Sequence, residues 1–381
     1  MAIAHFPSLT GNFRQGLDGL LYEVCEELQI SPTRYDLAVE RYNTLNRVLE
    51  GDLSPFKRLR PEIYPQGSMA LGTTVKPPTG DPHDLDFVLQ LLIRHNLVDP
   101  MALIKMLYEF LRRFDRYRPM VSLKNRCVRI EYADEFYMDV LPACMDGPNG
   151  GTCIKVPDCS AKTWKDSNPK GYIAWFEDQS RVLLVERMLE KAEPIPDQEA
   201  VGEKSTLQLA VQLLKRWRDI YYADNQELAP ISIVLTTIAA HVYRGQPSLS
   251  DALSSILAGT IALIDASRRT GEPHLVVLNP SNIGEDLSER WDTNPAAYRA
   301  FEQGIRNFED RWSRLVADGG NVNAELKSLF GETVTTVLRK RASQLQEGRK
   351  AGALGVTSAG LIASRTSANV SIRPNTFYGE E

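Results

Sequence analysis

Two aspartates separated by one residue, Asp84 and Asp86, begin an apolar run that continues to Leu92. Side chains alternate between the two faces of a β-strand, so both carboxylates lie on the same face. Two adjacent negative charges repel unless a cation lies between them. Mg2+ is the usual partner because it prefers oxygen ligands and also binds substrate phosphates, and Mn2+ is an alternative. An isolated D-x-D is more often a solvated strand end, but the apolar run and an upstream Gly-Ser turn favour a metal site.

That upstream turn consists of Gly67 and Ser68, and a loop with three prolines at 75–83 separates it from the aspartates. Glycine lets the backbone approach a phosphate group closely, and serine offers a hydroxyl group. Backbone N–H groups at the start of a following helix favour an anion at the same place. The turn therefore predicts a phosphate-binding element beside the metal site.

A third carboxylate, Asp139, is the only charge inside the apolar strand predicted for the stretch EFYMDVLPA, from Glu135 to Ala143. A buried carboxylate is costly unless it is paired or binds a metal. Two interpretations stay open: a salt bridge to Arg129 on the preceding strand, or a third metal ligand beside Asp84 and Asp86. Three carboxylates at one sheet edge can hold two metal ions for an in-line phosphoryl transfer. In that case Asp139 is the candidate to accept the proton of the attacking hydroxyl.

The composition is that of an ordinary globular chain of 381 residues, 43% hydrophobic and 24% charged, with a net charge of -5. The length predicts two domains, and the net charge does not favour stable binding of a long nucleic acid. The odd number of cysteines, five, is typical of free thiols in the cytoplasm. No signal peptide is recognisable. The apolar stretch at 253–264 predicts a buried helix because it is too short to span a membrane.

Apolar spacing predicts two N-terminal helices, a group of strands that carries the acids, and helices throughout from about residue 203. Later helices are expected at about 249–266, 295–317 and 323–346. The predicted domains are a core at 1–200, a helical domain at 201–346 and a flexible tail at 347–381 that is poor in large apolar side chains. The fold class is α+β, with a mixed sheet backed by the N-terminal helices and a C-terminal all-helical domain.

The Gly-Ser turn, the D-x-D pair and the later aspartate together resemble the polymerase-β-like nucleotidyltransferases. One branch of that superfamily contains oligoadenylate synthase, cyclic GMP-AMP synthase and the bacterial CD-NTases of CBASS anti-phage systems. Several stretches of this chain are similar to the bacterial members: QGSMALGT, DLDFVLQL, SNPKGYIAWF, LAVQLLKRWRD and NPSNIGEDLSERW. The resemblance covers most of residues 1–345 and implies the polymerase-β-like core with a helical domain that closes the cleft.

The resemblance also implies site residues. The ligands of two Mg2+ ions would be Asp84, Asp86 and Asp139. The donor triphosphate would be contacted from both domains, by Gln66, Gly67, Ser68, Lys215 and Ser232. Asn168 lies where some bacterial relatives have a base-reading residue; alternatively, Asn before Pro169 is a good helix N-cap.

The activity implied is template-independent synthesis of a cyclic di- or trinucleotide second messenger from NTPs, with release of pyrophosphate. Two alternatives stay open: a synthase of linear oligonucleotides or a transferase that modifies RNA or protein, and a non-catalytic nucleotide-binding scaffold. The zinc-bearing insertion of the animal DNA sensor has no clear counterpart. An accessory protein of the CBASS system that conjugates the C-terminus is a further implied partner, and the tail ending in NTFYGEE would suit it.

Overall fold

The computed structural model describes residues 13–78, 82–133, 136–147, 151–181, 200–351, 353–356, 362–364 and 370–371. The described α-helices are α1 (Phe13–Leu28), α2 (Pro32–Glu50), α3 (Gly67–Ala70), α4 (Pro100–Arg112), α5 (Pro169–Ser180), α6 (Thr206–Tyr221), α7 (Ser232–Val242), α8 (Leu249–Arg269), α9 (Arg290–Thr293), α10 (Pro295–Asp318), α11 (Val322–Phe330) and α12 (Glu332–Lys350).

The strands in the same residues are β1 (Glu62–Pro65), β2 (His83–Arg94), β3 (Val121–Leu123), β4 (Val128–Tyr132), β5 (Phe136–Met145), β6 (Ile154–Asp158), β7 (Thr163–Ser167), β8 (Leu278–Asn279), β9 (Asn282–Asp286), β10 (Leu354–Val356), β11 (Ile362–Ser364) and β12 (Val370–Ser371). Strand β2 begins at the histidine that the sequence assigned to the preceding loop.

A seven-stranded mixed sheet forms the centre of the acid-bearing part, with β1-β2-β5-β4-β3 in order and β6 and β7 continuing from β5. Strands β2 and β5 are parallel and set Asp86 opposite Asp139. Strands β4 and β5 are antiparallel and set Arg129 opposite the same aspartate. The register therefore brings acidic residues from two strands and an arginine from a third strand to one place. The mixed sheet and the helices confirm the predicted α+β fold class.

Helices α2 and α4 cover one face of this sheet. Helix α4 begins because Asp99 caps it, accepting a hydrogen bond from the Ala102 amide at 2.7 Å, and because Pro100 suits the first turn. Its apolar residues recur at helical spacing and are buried against the sheet, as are Tyr42 and Leu45 of α2. This layer packs against β2 and β5, and the packed strands position the three aspartates.

A second hydrophobic core joins α1 to the helices after residue 200. Apolar side chains of α1, among them Leu21 and Val24, lie in one buried cluster with Trp217 of α6 and Phe308 of α10. Helix α5 adds Phe176 to the same cluster. Of the two N-terminal helices, α2 therefore backs the sheet while α1 packs with the helical part. The domain boundary at residue 200 stays a prediction.

Helix α8 is long and apolar enough to cross a membrane by length and composition alone. In the fold it is a core helix: Leu253, Ile256 and Leu257 are buried in the helical cluster. Trp312 of α10 also donates a hydrogen bond from its indole nitrogen to Ser254 at 2.9 Å. The predicted buried helix is therefore present and runs over twenty-one residues.

The helix predicted at 323–346 is wrong in one respect, because it is two helices, α11 and α12, divided at Gly331. This glycine has a φ of +73°, a conformation that favours glycine over any other residue. Helix α12 extends to Lys350, into the predicted tail. Within that tail, β10 pairs antiparallel with β11 and β12. The predicted conjugation handle NTFYGEE lies outside the described residues. The five cysteines are free thiols, as predicted.

Candidate active site

The Gly-Ser turn contacts the second aspartate of the pair directly. Strand β1 runs antiparallel to β2 and ends beside it, and the Gln66 amide donates a hydrogen bond to the Asp86 carbonyl at 2.8 Å. Gly67 then turns the chain with a φ of +61°. A Cβ placed on Gly67 would lie 2.8 Å from Asp86 Oδ2. Glycine is needed here for two separate reasons, the left-handed backbone and the space that the carboxylate occupies.

The three predicted acids lie together, and Arg129 joins two of them. Its Nε and Nη2 donate to the two oxygens of Asp139, at 2.8 and 2.7 Å. The same Nη2 donates to Asp84 Oδ1 at 3.0 Å. Asp86 lies opposite Asp139 in the sheet. The salt bridge of Asp139 to Arg129 is therefore confirmed. Asp139 also lies beside the other two acids, and its role as a third metal ligand stays a prediction.

The acids carry more negative charge than their surroundings balance. Burial, followed by the charges of Asp139 and Asp84, raises the pKa of Asp86 to about 7. Partial loss of solvent around Asp84 also raises its pKa, although the Arg129 charge opposes the shift. Such raised pKa values are typical of carboxylates grouped to receive a cation.

Lys215 of α6 carries positive charge that its surroundings do not balance. Its side chain is only 4% exposed, and its ammonium donates to the hydroxyl and carbonyl oxygens of Thr73 at 2.9 and 3.1 Å. Burial, and next the nearby Arg218 charge, lower its pKa to about 7, while the charge of Asp86 acts in the other direction. A buried lysine beside another cation is stabilised when an anion binds. The site therefore lacks positive charge at Asp86 and negative charge at Lys215.

Ser232 lies in the first turn of α7 and accepts a hydrogen bond from Arg218 of α6. Asp219 holds the other side of that guanidinium, accepting from its Nη2 at 2.6 Å. Arg218 is also among the charges that act on Asp84. Arg218, which was not selected from the sequence, thus binds Ser232 and also lies near enough for its charge to act on Lys215.

One face of α6 binds the loop that follows the Gly-Ser turn. Gln208, Gln212 and Arg216 follow i, i+4 spacing along this helix, Lys215 lies beside them, and Lys204 precedes the helix. Each of these side chains donates to a different loop carbonyl: Gln208 to Leu71, Lys204 to Gly72, Lys215 to Thr73, Gln212 to Thr74 and Arg216 to Lys76. The helical part thereby fixes the backbone next to the Gly-Ser turn.

The remaining predicted residues have local contacts. Ser68 accepts a hydrogen bond from the Thr74 hydroxyl at 3.2 Å, which folds the loop back over the turn. Asn168 is buried; its Oδ1 caps α5 by accepting from the Gly171 amide, and its Nδ2 donates to the Ser281 carbonyl. The N-cap interpretation is therefore correct. Base reading by Asn168 stays a prediction that requires these hydrogen bonds to change.

The donor set fits a hard divalent cation, since three carboxylates supply oxygen ligands and one of them has a strongly raised pKa. As the side chains stand, no three acidic, histidine or cysteine side chains of the described chain are grouped as ligands around one point. The guanidinium of Arg129, bonded to Asp84 and Asp139, holds the cationic position between them.

The mixed sheet, the paired acids on β2, the acid on β5 and the Gly-Ser turn define a polymerase-β-like nucleotidyltransferase. Residues 18–180 match the family model described as Second Messenger Oligonucleotide or Dinucleotide Synthetase domain. The chain is 33% identical to a c-di-GMP synthase of Roseivirga ehrenbergii over 98% of this chain and 100% of that protein. It is 28% identical to the cyclic dinucleotide synthase CdnG of Bradyrhizobium diazoefficiens over 99% of this chain and 100% of that one.

Among solved structures, the fold is similar to that of the Bradyrhizobium diazoefficiens CD-NTase CdnG in complex with GTP. The TM-score is 0.71 with 25% identity, and the match covers 86% of this chain and 98% of that chain. The protein belongs to the bacterial CD-NTase family.

Proposed function

We propose that this protein is a cyclic dinucleotide synthase that joins two GTP molecules and releases two pyrophosphates. The observation that carries the proposal is the contact of the Gly67 turn with Asp86 in a sheet that also brings Asp84 and Asp139 to the same place. Similarity to a c-di-GMP synthase along the whole chain supports guanine as the base. A fold similar to that of a GTP complex supports it as well.

Mg2+ would be held by Asp84, Asp86 and Asp139, and we propose two ions, with Mn2+ as a substitute. Bound there, the ions would neutralise phosphate charge and lower the pKa of the attacking hydroxyl. The chain's own contribution on the other side is Lys215, whose buried ammonium would gain the negative partner that it lacks when a triphosphate binds. Glycine at position 67 lets the protein backbone approach the triphosphate closely. Ser68 and Ser232 offer hydroxyl groups.

Each bond-forming step is the same displacement. A ribose hydroxyl oxygen of one nucleotide attacks the α-phosphorus of another, the bond from that phosphorus to the bridging oxygen breaks, and pyrophosphate leaves. The hydroxyl proton passes to a carboxylate, for which Asp139 is the candidate. Both Asp139 oxygens accept hydrogen bonds from Arg129, and each oxygen keeps a second lone pair that can accept the proton. A second displacement closes the ring.

The test is incubation of the full chain with GTP and Mg2+ or Mn2+, followed by mass spectrometry of the product. A product with the mass of two GMP units less two waters, resistant to phosphatase, is expected. Asp84→Asn and Asp86→Asn should abolish it. Asp115→Asn should not, because Asp115 is 91% exposed on the helical turn after α4. No product from any NTP with either metal, or full activity in both active-site variants, would refute the proposal.

The same assay separates the alternatives. A linear oligonucleotide carries a terminal phosphate and loses it to phosphatase, whereas a cyclic dinucleotide has none. Transfer to RNA or protein would leave label on a macromolecule. A non-catalytic scaffold would bind GTP without releasing pyrophosphate. Competition among the four NTPs in one reaction would test the choice of guanine directly.

We further propose that the enzyme acts in the bacterial cytoplasm, in anti-phage defence, as the CD-NTase family implies. An accessory protein that acts on the C-terminus is part of that proposal. Full-length chain and a variant without residues 375–381, compared for modification in cells with neighbouring defence genes, would test it.

A further inference from the structure

We propose that Arg129 is a built-in counter-ion of the acid cluster. In the nucleotide-free protein it bridges Asp139 and Asp84, and it releases Asp84 when a divalent cation binds. The inference deepens the proposed function and rests on it. It concerns what the chain does before metal arrives, which the three carboxylates alone do not explain.

The two contacts of Arg129 differ in kind. With Asp139 it forms a bidentate fork, two parallel hydrogen bonds of 2.8 and 2.7 Å. With Asp84 it forms one hydrogen bond of 3.0 Å, from a nitrogen that Asp139 already uses. Bidentate pairing is the stronger and more directional arrangement. The contact that breaks first is therefore the one with Asp84.

The exposed fractions of the two aspartates also indicate that the contact with Asp84 breaks first. The Asp139 side chain is 11% exposed and the Asp84 side chain 61% exposed. An exposed carboxylate turns toward a new partner at little cost, since water solvates it during the change. A buried carboxylate without its partner is strongly destabilised. Asp84 can therefore turn toward a metal ion. Asp139 requires a cationic partner both with and without metal.

The guanidinium has its own support and stays near the cluster after this exchange. It lies over the ring of Tyr137, 4.6 Å from the ring centre, at a distance typical of a cation–π contact. Tyr137 is opposite Asp84 in the β2–β5 register, so the ring lies beside the bridged pair. Arg129 is in this view a positioning residue that orients Asp139, and it also competes with metal for Asp84.

Removing the positive charge should therefore have two effects. The metal-free protein should be less stable, because Asp139 loses its partner. A divalent cation should bind more tightly, because it no longer displaces Arg129 or experiences repulsion from it. A residue that served only to orient Asp139 for metal would give the opposite result, weaker metal binding.

The experiment measures Mn2+ affinity by EPR titration of the full chain without nucleotide, together with Tm with and without Mn2+. We expect Arg129→Gln to bind Mn2+ at least about tenfold more tightly than wild type. It should also have a lower Tm without metal and a larger rise on adding Mn2+. Arg129→Lys, which keeps the charge without the fork, should lie in between. Arg94→Gln removes an exposed arginine at the other end of β2 and should match wild type.

Equal or weaker Mn2+ binding in Arg129→Gln would overturn the inference. If Arg129→Gln does not fold, Mn2+ affinity of Arg129→Lys equal to or below that of wild type overturns it. These results are distinct from failure of the proposed function. In that case wild type itself forms no product from GTP, whatever its affinity for Mn2+.

Discussion

The contact between Gly67 and Asp86 makes this glycine the sharpest test of the site. In Gly67→Ala, alanine has to adopt a φ of +61°, which costs an L-residue about 1 kcal/mol. Its Cβ would also lie 2.8 Å from Asp86 Oδ2. The carboxylate has to move by about half an ångström, and a displacement of about 1 Å in a catalytic group can lower the rate about a hundredfold. We expect kcat for GTP to fall by roughly tenfold or more.

The matched control is Gly245→Ala. Gly245 has a φ of +76°, and a Cβ there would have nothing within 4 Å. It carries the same backbone strain without the carboxylate contact, so it should lose about 1 kcal/mol of unfolding free energy and keep its kcat. Urea unfolding measures the first quantity, and pyrophosphate release at saturating GTP measures the second.

Equal kcat values in the two variants, measured under conditions where both are folded, would refute the contact with Asp86 as the cause. A loss of activity in Gly67→Ala that is matched by an equal loss in Gly245→Ala would point to general destabilisation. Only a selective loss of kcat in Gly67→Ala supports the contact as the cause.

Three further outcomes are expected. Gln212→Leu should lower the unfolding free energy by about 1–3 kcal/mol, because the partly buried Thr74 carbonyl loses its donor. It should also raise KM for GTP, and an unchanged KM would show that this face of α6 does not hold the turn. Lys215 has a folded pKa of about 7, below its unfolded value of about 10.4, so wild-type stability should rise between pH 7 and 10 by up to about 1.4 kcal/mol per pH unit. Urea unfolding of Lys215→Met should lack this rise, and an identical slope in both proteins would contradict the assignment. Burial raises the pKa of Asp158, but hydrogen bonds, including one from Arg126, outweigh it and hold that pKa well below its usual range. Asp158 thus contributes stability that is present at neutral pH and is lost as the pH falls through its folded pKa. Asp158→Asn should lower the unfolding free energy at pH 7 by about 2 kcal/mol and flatten the acid limb of the stability curve, and an unchanged acid limb would contradict this.

Local chemistry made several features readable from the sequence. Alternation along a strand placed Asp84 and Asp86 on one face whatever the strand packs against. Asn168 before a proline predicted the N-cap that the structure contains, because capping depends on residues three apart. The Gly-Ser turn was selected because glycine lets the backbone approach a phosphate closely, and the structure adds that Gly67 has a φ of +61°. The division at Gly331 was available from the same argument and was missed.

Contacts between distant residues were decided only by the tertiary structure. That Asp139 is bonded to Arg129 and also lies beside Asp86 depends on the order and register of three strands. The sequence therefore left the partner of Asp139 open, and the structure identifies Arg129. Lys204 and the donors of α6 bond to loop carbonyls between Leu71 and Lys76, more than 130 positions away in the chain. Sequence patterns report which face of an element is apolar, because burial is a property of single positions. They do not report which partner a polar side chain meets, because that depends on how separate elements pack.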